Sequence, residues 1–170
     1  MRSASLAARL AATDQSFDCA GDTADTIDQI SDHAPGGGLA ILVAEDNEIN
    51  ALLARALLTR LGHRPTIATD GAAALAAWRA ARTAGEPFGL ILMDVHMPGS
   101  DGIEATRRIR AAEAEQGAAR TPIIALTANA LEEEREACRQ AGMDGFLTKP
   151  LDRERLKSAL AALDTASLAA

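Results

Sequence analysis

The sequence predicts a doubly wound α/β domain, a parallel sheet with helices on both faces. Three observations predict it. Short unbroken apolar runs recur from Leu39 onward. Each is followed by a stretch with helical periodicity, so the order reads β-α five times. Each crossover is long enough for a right-handed βαβ connection. Strands in such a sheet are buried on both faces, which is why the runs are apolar throughout rather than alternating.

The elements run in order along the chain. Leu39-Ala40-Ile41-Leu42-Val43-Ala44 is the first strand. Glu48–Leu61 reads as a helix with Ile49, Leu53, Leu57 and Leu61 along one face, and Gly62 stands where a helix stop belongs. Arg64–Thr69 is a weak strand, and Pro65, which has no N–H to donate, confines it to a sheet edge. Asp70 caps an Ala-rich helix that runs to about Arg82. Phe88–Met93 is the next apolar run, and Ile103–Glu115 is a helix with Ile109 on its core face. Pro122–Leu126 is a strand, Leu131–Ala141 a helix, Gly145–Thr148 a strand and Asp152–Leu163 the closing helix.

Residues 1–38 have a different character. They are rich in Ala, Asp, Ser and Thr, and end in Pro35-Gly36-Gly37-Gly38, the composition of a flexible linker. Ser5–Ala12 could form a short helix, and Ile27 and Ile30 could seat another, but neither has enough apolar surface to stand alone. The expected organisation is an acidic tail or linker over 1–38, a domain over 39–165 and a C-terminal tail over 166–170.

Composition removes several function classes. The net charge of −7 gives no basic face for a phosphate backbone, so direct nucleic-acid binding is not expected. Aromatics are only 2%, which leaves no base-stacking surface and requires an aliphatic core. No segment has the apolar length of a membrane span, and the N-terminus lacks the apolar region of a signal peptide. The expected location is therefore cytoplasmic. Cys19 and Cys138 show no metal-ligand spacing, and Cys138 reads as a small core residue.

The chemistry lies at the C-terminal end of each apolar run. The first strand ends in Glu45-Asp46, the third in Asp94, the fourth in Thr127 and the fifth in Lys149. In a parallel sheet all strand C-termini share one rim, where ligands bind. Singly, each residue reads as a cap, a turn or a surface side chain; together they bring carboxylates, a hydroxyl and an ammonium to one place. Carboxylates about 4 Å apart repel by about 4 kcal/mol at an effective dielectric of 20, so the cluster calls for a cation or a bound proton. Hard oxygen donors of this kind suit Mg²⁺. A lone His96 beside them reads as a loop side chain. A metal, a carboxylate, a lysine and a hydroxyl form a phosphoryl-transfer set, in which an aspartate can carry an acyl phosphate. Asp94 is the expected acceptor, because the third strand lies between the first and fourth.

In this order and spacing, Ile41-Leu42-Val43-Ala44-Glu45-Asp46-Asn47, Leu92-Met93-Asp94-Val95-His96-Met97-Pro98, Asp101-Gly102, Ala125-Leu126-Thr127-Ala128 and Lys149-Pro150 resemble the receiver domain of two-component response regulators, along almost all of residues 39–165. Asn47-Glu48-Ile49-Asn50, Glu104-Ala105-Thr106-Arg107-Arg108-Ile109-Arg110 and Leu126-Thr127-Ala128-Asn129-Ala130 resemble most the receivers attached to hybrid histidine kinases. The resemblance implies a flavodoxin-like (βα)5 fold with strand order 2-1-3-4-5. It implies that Asp94 accepts phosphate from a phosphohistidine of a histidine kinase or histidine phosphotransfer protein. It further implies that Asp46 and Asp94 ligate Mg²⁺, with the backbone carbonyl of His96, while Glu45 acts mainly through water. Thr127 would move toward the phosphoryl group, Lys149 would contact it, and the Lys149–Pro150 bond would be cis. Phe146 matches the family's switch aromatic, and the side chains of His96 and Asn129 match positions that tune phosphate lifetime.

The expected function is thus a phosphoacceptor module that switches the face built from its fourth helix, fifth strand and fifth helix. It catalyses its own phosphorylation and dephosphorylation but is not otherwise an enzyme, and it is read either as a standalone protein or as the receiver end of a hybrid kinase. No Walker-type loop or kinase ATP-binding region is present, and His33 lacks the pattern of a phosphoacceptor histidine. One alternative is a binding module controlled by a ligand or by its N-terminal tail, with phosphorylation incidental. Another is a metal-dependent phosphatase acting on external substrates, which would need a substrate cap that the sequence does not contain.

Overall fold

The computed structural model describes residues 38–169 other than 98, 100 and 130. The expectations for residues 1–37, including the two short helices, Cys19 and His33, lie outside the described residues. Five β-α units succeed one another: β1 (Ala40–Ala44), α1 (Glu48–Arg60), β2 (Arg64–Ala68), α2 (Gly71–Thr83), β3 (Leu90–Asp94), α3 (Gly102–Gln116), β4 (Ile123–Thr127), α4 (Glu132–Ala141), β5 (Gly145–Thr148) and α5 (Arg153–Ala169). The strands form one parallel sheet in the order β2-β1-β3-β4-β5. Pro65 lies in the edge strand β2, and β3 is central, as the sequence predicts.

The two-residue period of the strands sorts their side chains into two core layers. Leu42, Ile91, Met93, Ile123 and Ala125 pack with Trp78 of α2, Ile109 of α3 and Cys138 of α4. Ile41, Val43, Leu90, Leu92, Ile124 and Leu126 pack with Leu58 of α1 and Leu156 of α5. Every residue of β3 and β4 is buried, which explains their lack of alternation.

Local signals set the element boundaries. Asn47, Asp70 and Asp101 each cap the next helix through a side-chain oxygen. Gly102 opens α3 against the end of β3. A Cβ there would lie 2.0 Å from the Asp94 carbonyl oxygen, so only glycine allows this approach. At the opposite end of the sheet Trp78 Nε1 donates to Thr121 Oγ1 at 3.1 Å, and buried Glu113 accepts from Thr121 N and from Arg110. Arg110 also reaches Asp144 at 2.9 Å, so its charge and that of Glu113 are paired rather than stranded.

The structure refines the reading of α1 and corrects the end of the closing helix. The buried face of α1 is Ala51, Ala54 and Leu58, whereas Ile49 is 78% exposed and Leu53 lies at the exposed edge. Of the periodic set, Leu57 and Leu61 are half-buried and pack against the core, so the stripe read from the sequence meets the core only over its C-terminal half. The closing helix runs to Ala169, past the stop expected at Leu163. Leu58→Ala is expected to cost about 2–5 kcal/mol in denaturant unfolding, and Ile49→Ala less than about 0.5 kcal/mol. The reverse ranking would mean that Ile49, not Leu58, carries the packing of α1.

Among the described residues no helix is long and apolar enough to cross a membrane.

Candidate functional site

The parallel register brings the strand ends level. Ala44 pairs with Met93, Asp94 with Leu126 and Thr127 with Thr148. Glu45, Asp94, Thr127 and Lys149 therefore reach the same rim, each one at or just beyond the end of its strand. Lys149 Nζ joins two of them, at 2.9 Å from Asp94 Oδ2 and 2.8 Å from Glu45 Oε2. The remaining oxygens are held by loop backbone. His96 N donates to Asp94 Oδ1 at 3.1 Å, and Asn47 N donates to Glu45 Oε1 at 3.1 Å. Asp94 and Glu45 are buried, while Asp46 is exposed at the mouth of the site.

Charge and burial oppose one another here. Burial raises the pKa of Asp94 to about 6, helped by the neighbouring Glu45 carboxylate. The hydrogen bonds from Lys149 and His96 N pull it down but do not win. Burial works against the Lys149 ammonium, but its contacts with Glu45 and Asp94 outweigh this and raise its pKa. Carboxylates this close require a cation or a proton. Lys149 supplies part of that charge, while burial first and Glu45 second hold the Asp94 pKa up.

That shift has a defined consequence for stability. The folded chain holds the Asp94 proton more tightly than the unfolded chain, whose carboxylate has the ordinary value of 3.8. The metal-free protein therefore gains stability from this group as pH falls from above about 6 toward 4, and loses it again on the way up.

The donor set fits a hard divalent cation. Glu45, Asp46 and Asp94 offer carboxylate oxygens that all lie within 4.8 Å of one another. Two of these carboxylates are buried, and no sulfur or imidazole ligand belongs to the cluster.

The other residues singled out in the sequence surround this centre. Thr127 is buried, and its hydroxyl lies 2.8 and 2.7 Å from two acceptors for its one proton, Asn129 O and Glu134 Oε2. Asn129 N donates back to Thr127 Oγ1 at 3.1 Å. The His96 side chain is exposed, with Nε2 2.5 Å from Glu134 Oε1. Phe146 stands apart from the carboxylates. It is 37% exposed and lies beneath the Arg135 guanidinium, 4.1 Å from the ring centroid. The Lys149–Pro150 bond is cis. Sequence reasoning missed Glu134 and Arg135. They belong to a charged stretch in the first turns of α4 that reads as a solvated face, yet Glu134 meets Thr127 and Arg135 meets Phe146.

A family model described as the response regulator receiver domain matches residues 41–161. The sensor histidine kinase GacS of Pseudomonas protegens is 42% identical over 116 residues, which are 68% of this chain and 12% of the relative. The chain thus spans only a small part of the curated relatives it matches. The receiver domain of sensor histidine kinase PA1611 from Pseudomonas aeruginosa, solved with magnesium coordinated in its active-site cleft, is 44% identical with a TM-score of 0.61. That match covers 75% of this chain and 98% of that one. A Saccharomyces cerevisiae co-crystal structure of the histidine phosphotransfer protein Ypd1 with the receiver domain of Ssk1 matches at 29% identity and a TM-score of 0.64. It covers 71% of this chain and 84% of that one. The five-stranded order, the acidic rim with its lysine and the span of these matches coincide, and the chain belongs to the response regulator receiver domain family of two-component systems.

Proposed function

We propose that Asp94 is the phosphoacceptor and that residues 39–165 act as a Mg²⁺-dependent receiver for a histidine kinase or a histidine phosphotransfer protein. The observation that carries this reading is the buried Asp94 carboxylate, held by Lys149 within the Glu45–Asp46–Asp94 cluster at the strand rim. An Asp94 oxygen attacks the phosphorus of a donor phosphohistidine. The new O–P bond forms as the N–P bond breaks, and the imidazole leaves as the neutral base after taking a proton from solvent. Lys149 neutralises one phosphoryl oxygen, and Thr127 donates a hydrogen bond to another. Mg²⁺, held by Asp46, Asp94 and the His96 carbonyl with Glu45 acting through water, would supply the remaining positive charge. Attack by water on the phosphorus breaks the Asp94 O–P bond, returning the carboxylate and releasing inorganic phosphate, and the side chains of His96 and Asn129 flank that approach and set its rate.

Partner access is supported by the surface of α1. Ile49 and Leu52 are exposed, and a groove beside them is lined by Glu45, Asp46, Leu52 and Arg55. A donor protein docking there would bury apolar surface next to the carboxylates. The output would be a change in the face made by α4, β5 and α5, through Thr127 and Phe146. A cytoplasmic location accords with this role, since the kinase and phosphotransfer donors of such a relay present their phosphohistidine there.

Because Asp94 must be ionised to hold the metal, Mg²⁺ affinity is expected to fall as pH drops through about 6. Below that point the fall approaches about tenfold per pH unit. Isothermal titration at several pH values checks this, and a flat profile from pH 7 to 5 contradicts it. The function itself is tested by mixing the chain with a phosphorylated histidine phosphotransfer protein. Label should move to this chain with Mg²⁺ present and stay on the donor after chelation; transfer that ignores chelation would refute the proposed metal dependence.

A further inference from the structure

Thr127 has a single hydroxyl proton, and two acceptors already compete for it, Asn129 O and Glu134 Oε2. Glu134 is the charged one of the two, so its bond is the stronger. Its side chain is only 15% exposed. Its other oxygen, Oε1, is cut off from water and makes no hydrogen bond of good geometry among the described residues, although His96 Nε2 lies 2.5 Å away. The next residue, Arg135, covers the Phe146 ring while its own Nε is buried without a partner among the described residues. Two adjacent residues of α4 thus grip the two switch residues, and each grip leaves one polar atom poorly satisfied.

We propose that Glu134 is the positioning residue that holds Thr127 in its resting place and competes with the phosphoryl group for the Thr127 proton. The proposal rests on the receiver reading above and adds to it the element that opposes activation. Thr127 can donate to a phosphoryl oxygen only by releasing Glu134, because it has no second proton. The incoming phosphoryl charge also repels the Glu134 carboxylate, which favours that release. Glu134 and Arg135 share one helical turn. A shift of that turn which frees Thr127 also lifts the guanidinium from Phe146, so the two switch residues move together although Phe146 has no hydroxyl to link them. Part of the free energy of phosphorylation is spent on opening this grip, and the resting state is favoured by the same amount.

The test titrates the whole chain with beryllofluoride at saturating Mg²⁺ and follows ring resonances of Phe146 by NMR. Wild type should bind. Glu134→Ala should bind about tenfold tighter, the scale of one hydrogen bond to a charged group. Glu134→Gln should fall between them, since its amide oxygen still accepts weakly. Affinity for Mg²⁺ alone should not change, because Glu134 is not among the proposed ligands. On a Thr127→Val background Glu134→Ala should add nothing, since there is no proton left to compete for. If wild type binds and Glu134→Ala binds equally or more weakly, or if its gain persists on Thr127→Val, the proposal is wrong while the receiver reading stands. If wild type itself fails to bind, the receiver reading fails and takes the proposal with it. Should the alanine variant not fold, the glutamine variant decides on the same criteria.

Discussion

Asp94→Asn should eliminate phosphoryl acceptance and leave the fold intact. The amide has nearly the same shape, and its oxygen can still accept from His96 N, which now bonds Asp94 Oδ1. What it lacks is a nucleophilic oxygen with a full charge. Covalent acceptance should therefore drop below detection rather than slow by degrees. Stability should move the other way. The Asp94 carboxylate is buried beside Glu45, and its raised pKa means that ionisation costs folding free energy at neutral pH. Removing that charge relieves the cost, while Lys149 keeps its contact with Glu45 at 2.8 Å. The metal-free Asn variant should thus be as stable as wild type or more so at pH 7, measured by denaturant unfolding. Signalling that survived Asp94→Asn would favour the alternative in which phosphorylation is incidental.

Lys149→Ala should carry the second largest effect, in both rate and stability. Without the ammonium, one phosphoryl oxygen loses its charged partner, and acceptance from a small phosphodonor at saturating Mg²⁺ should slow by about 10²–10³-fold. The loss also strands Glu45 and Asp94, both buried, without the cation they share. Breaking a buried pair in this way costs about 3–5 kcal/mol when the remaining charge cannot escape. Here it can escape by protonation. Losing Lys149 removes a contribution that lowers the Asp94 pKa, so that pKa rises further and the destabilisation shrinks as pH falls. Unfolding at pH 8 and pH 5 checks the sign. A Lys149→Ala penalty that is equal at both values would mean that the lysine is not compensating these carboxylates.

The fold was legible because its signals are redundant. The apolar runs, the edge proline Pro65 and the caps at Asp70 and Gly62 each pointed to the same β-α order, and no single one had to be right. The rim was legible for a related reason. Parallel topology sends every strand end to one side, so Glu45, Asp94, Thr127 and Lys149 converge whatever the details of the loops. Where the sequence was silent, it was on the choice between equivalent patterns. α1 carries apolar residues on more than one stripe, and its buried face uses Ala51 and Ala54, whose small side chains let the helix lie close to the sheet. Nothing in the order of residues distinguishes a large apolar side chain that enters the core from one that stays exposed.

Glu134 and Arg135 show the other limit. Glu132-Glu133-Glu134 at the start of a helix has a sufficient local explanation, the favourable interaction of acidic groups with the helix N-terminus. Which of the three turns inward depends on how α4 packs against its neighbours. That is a matter of tertiary placement, and the pattern of charges carries no trace of it.

The central claim, that Asp94 takes the phosphoryl group, is tested most directly by incubating the chain with Mg²⁺ and a small phosphodonor. The product is then reduced with borohydride and its modified residue located by tandem mass spectrometry. The predicted result is one acyl phosphate per chain, placed at Asp94, dependent on Mg²⁺ and missing from Asp94→Ala. No adduct on the wild-type chain, or an adduct that persists in Asp94→Ala, would contradict it.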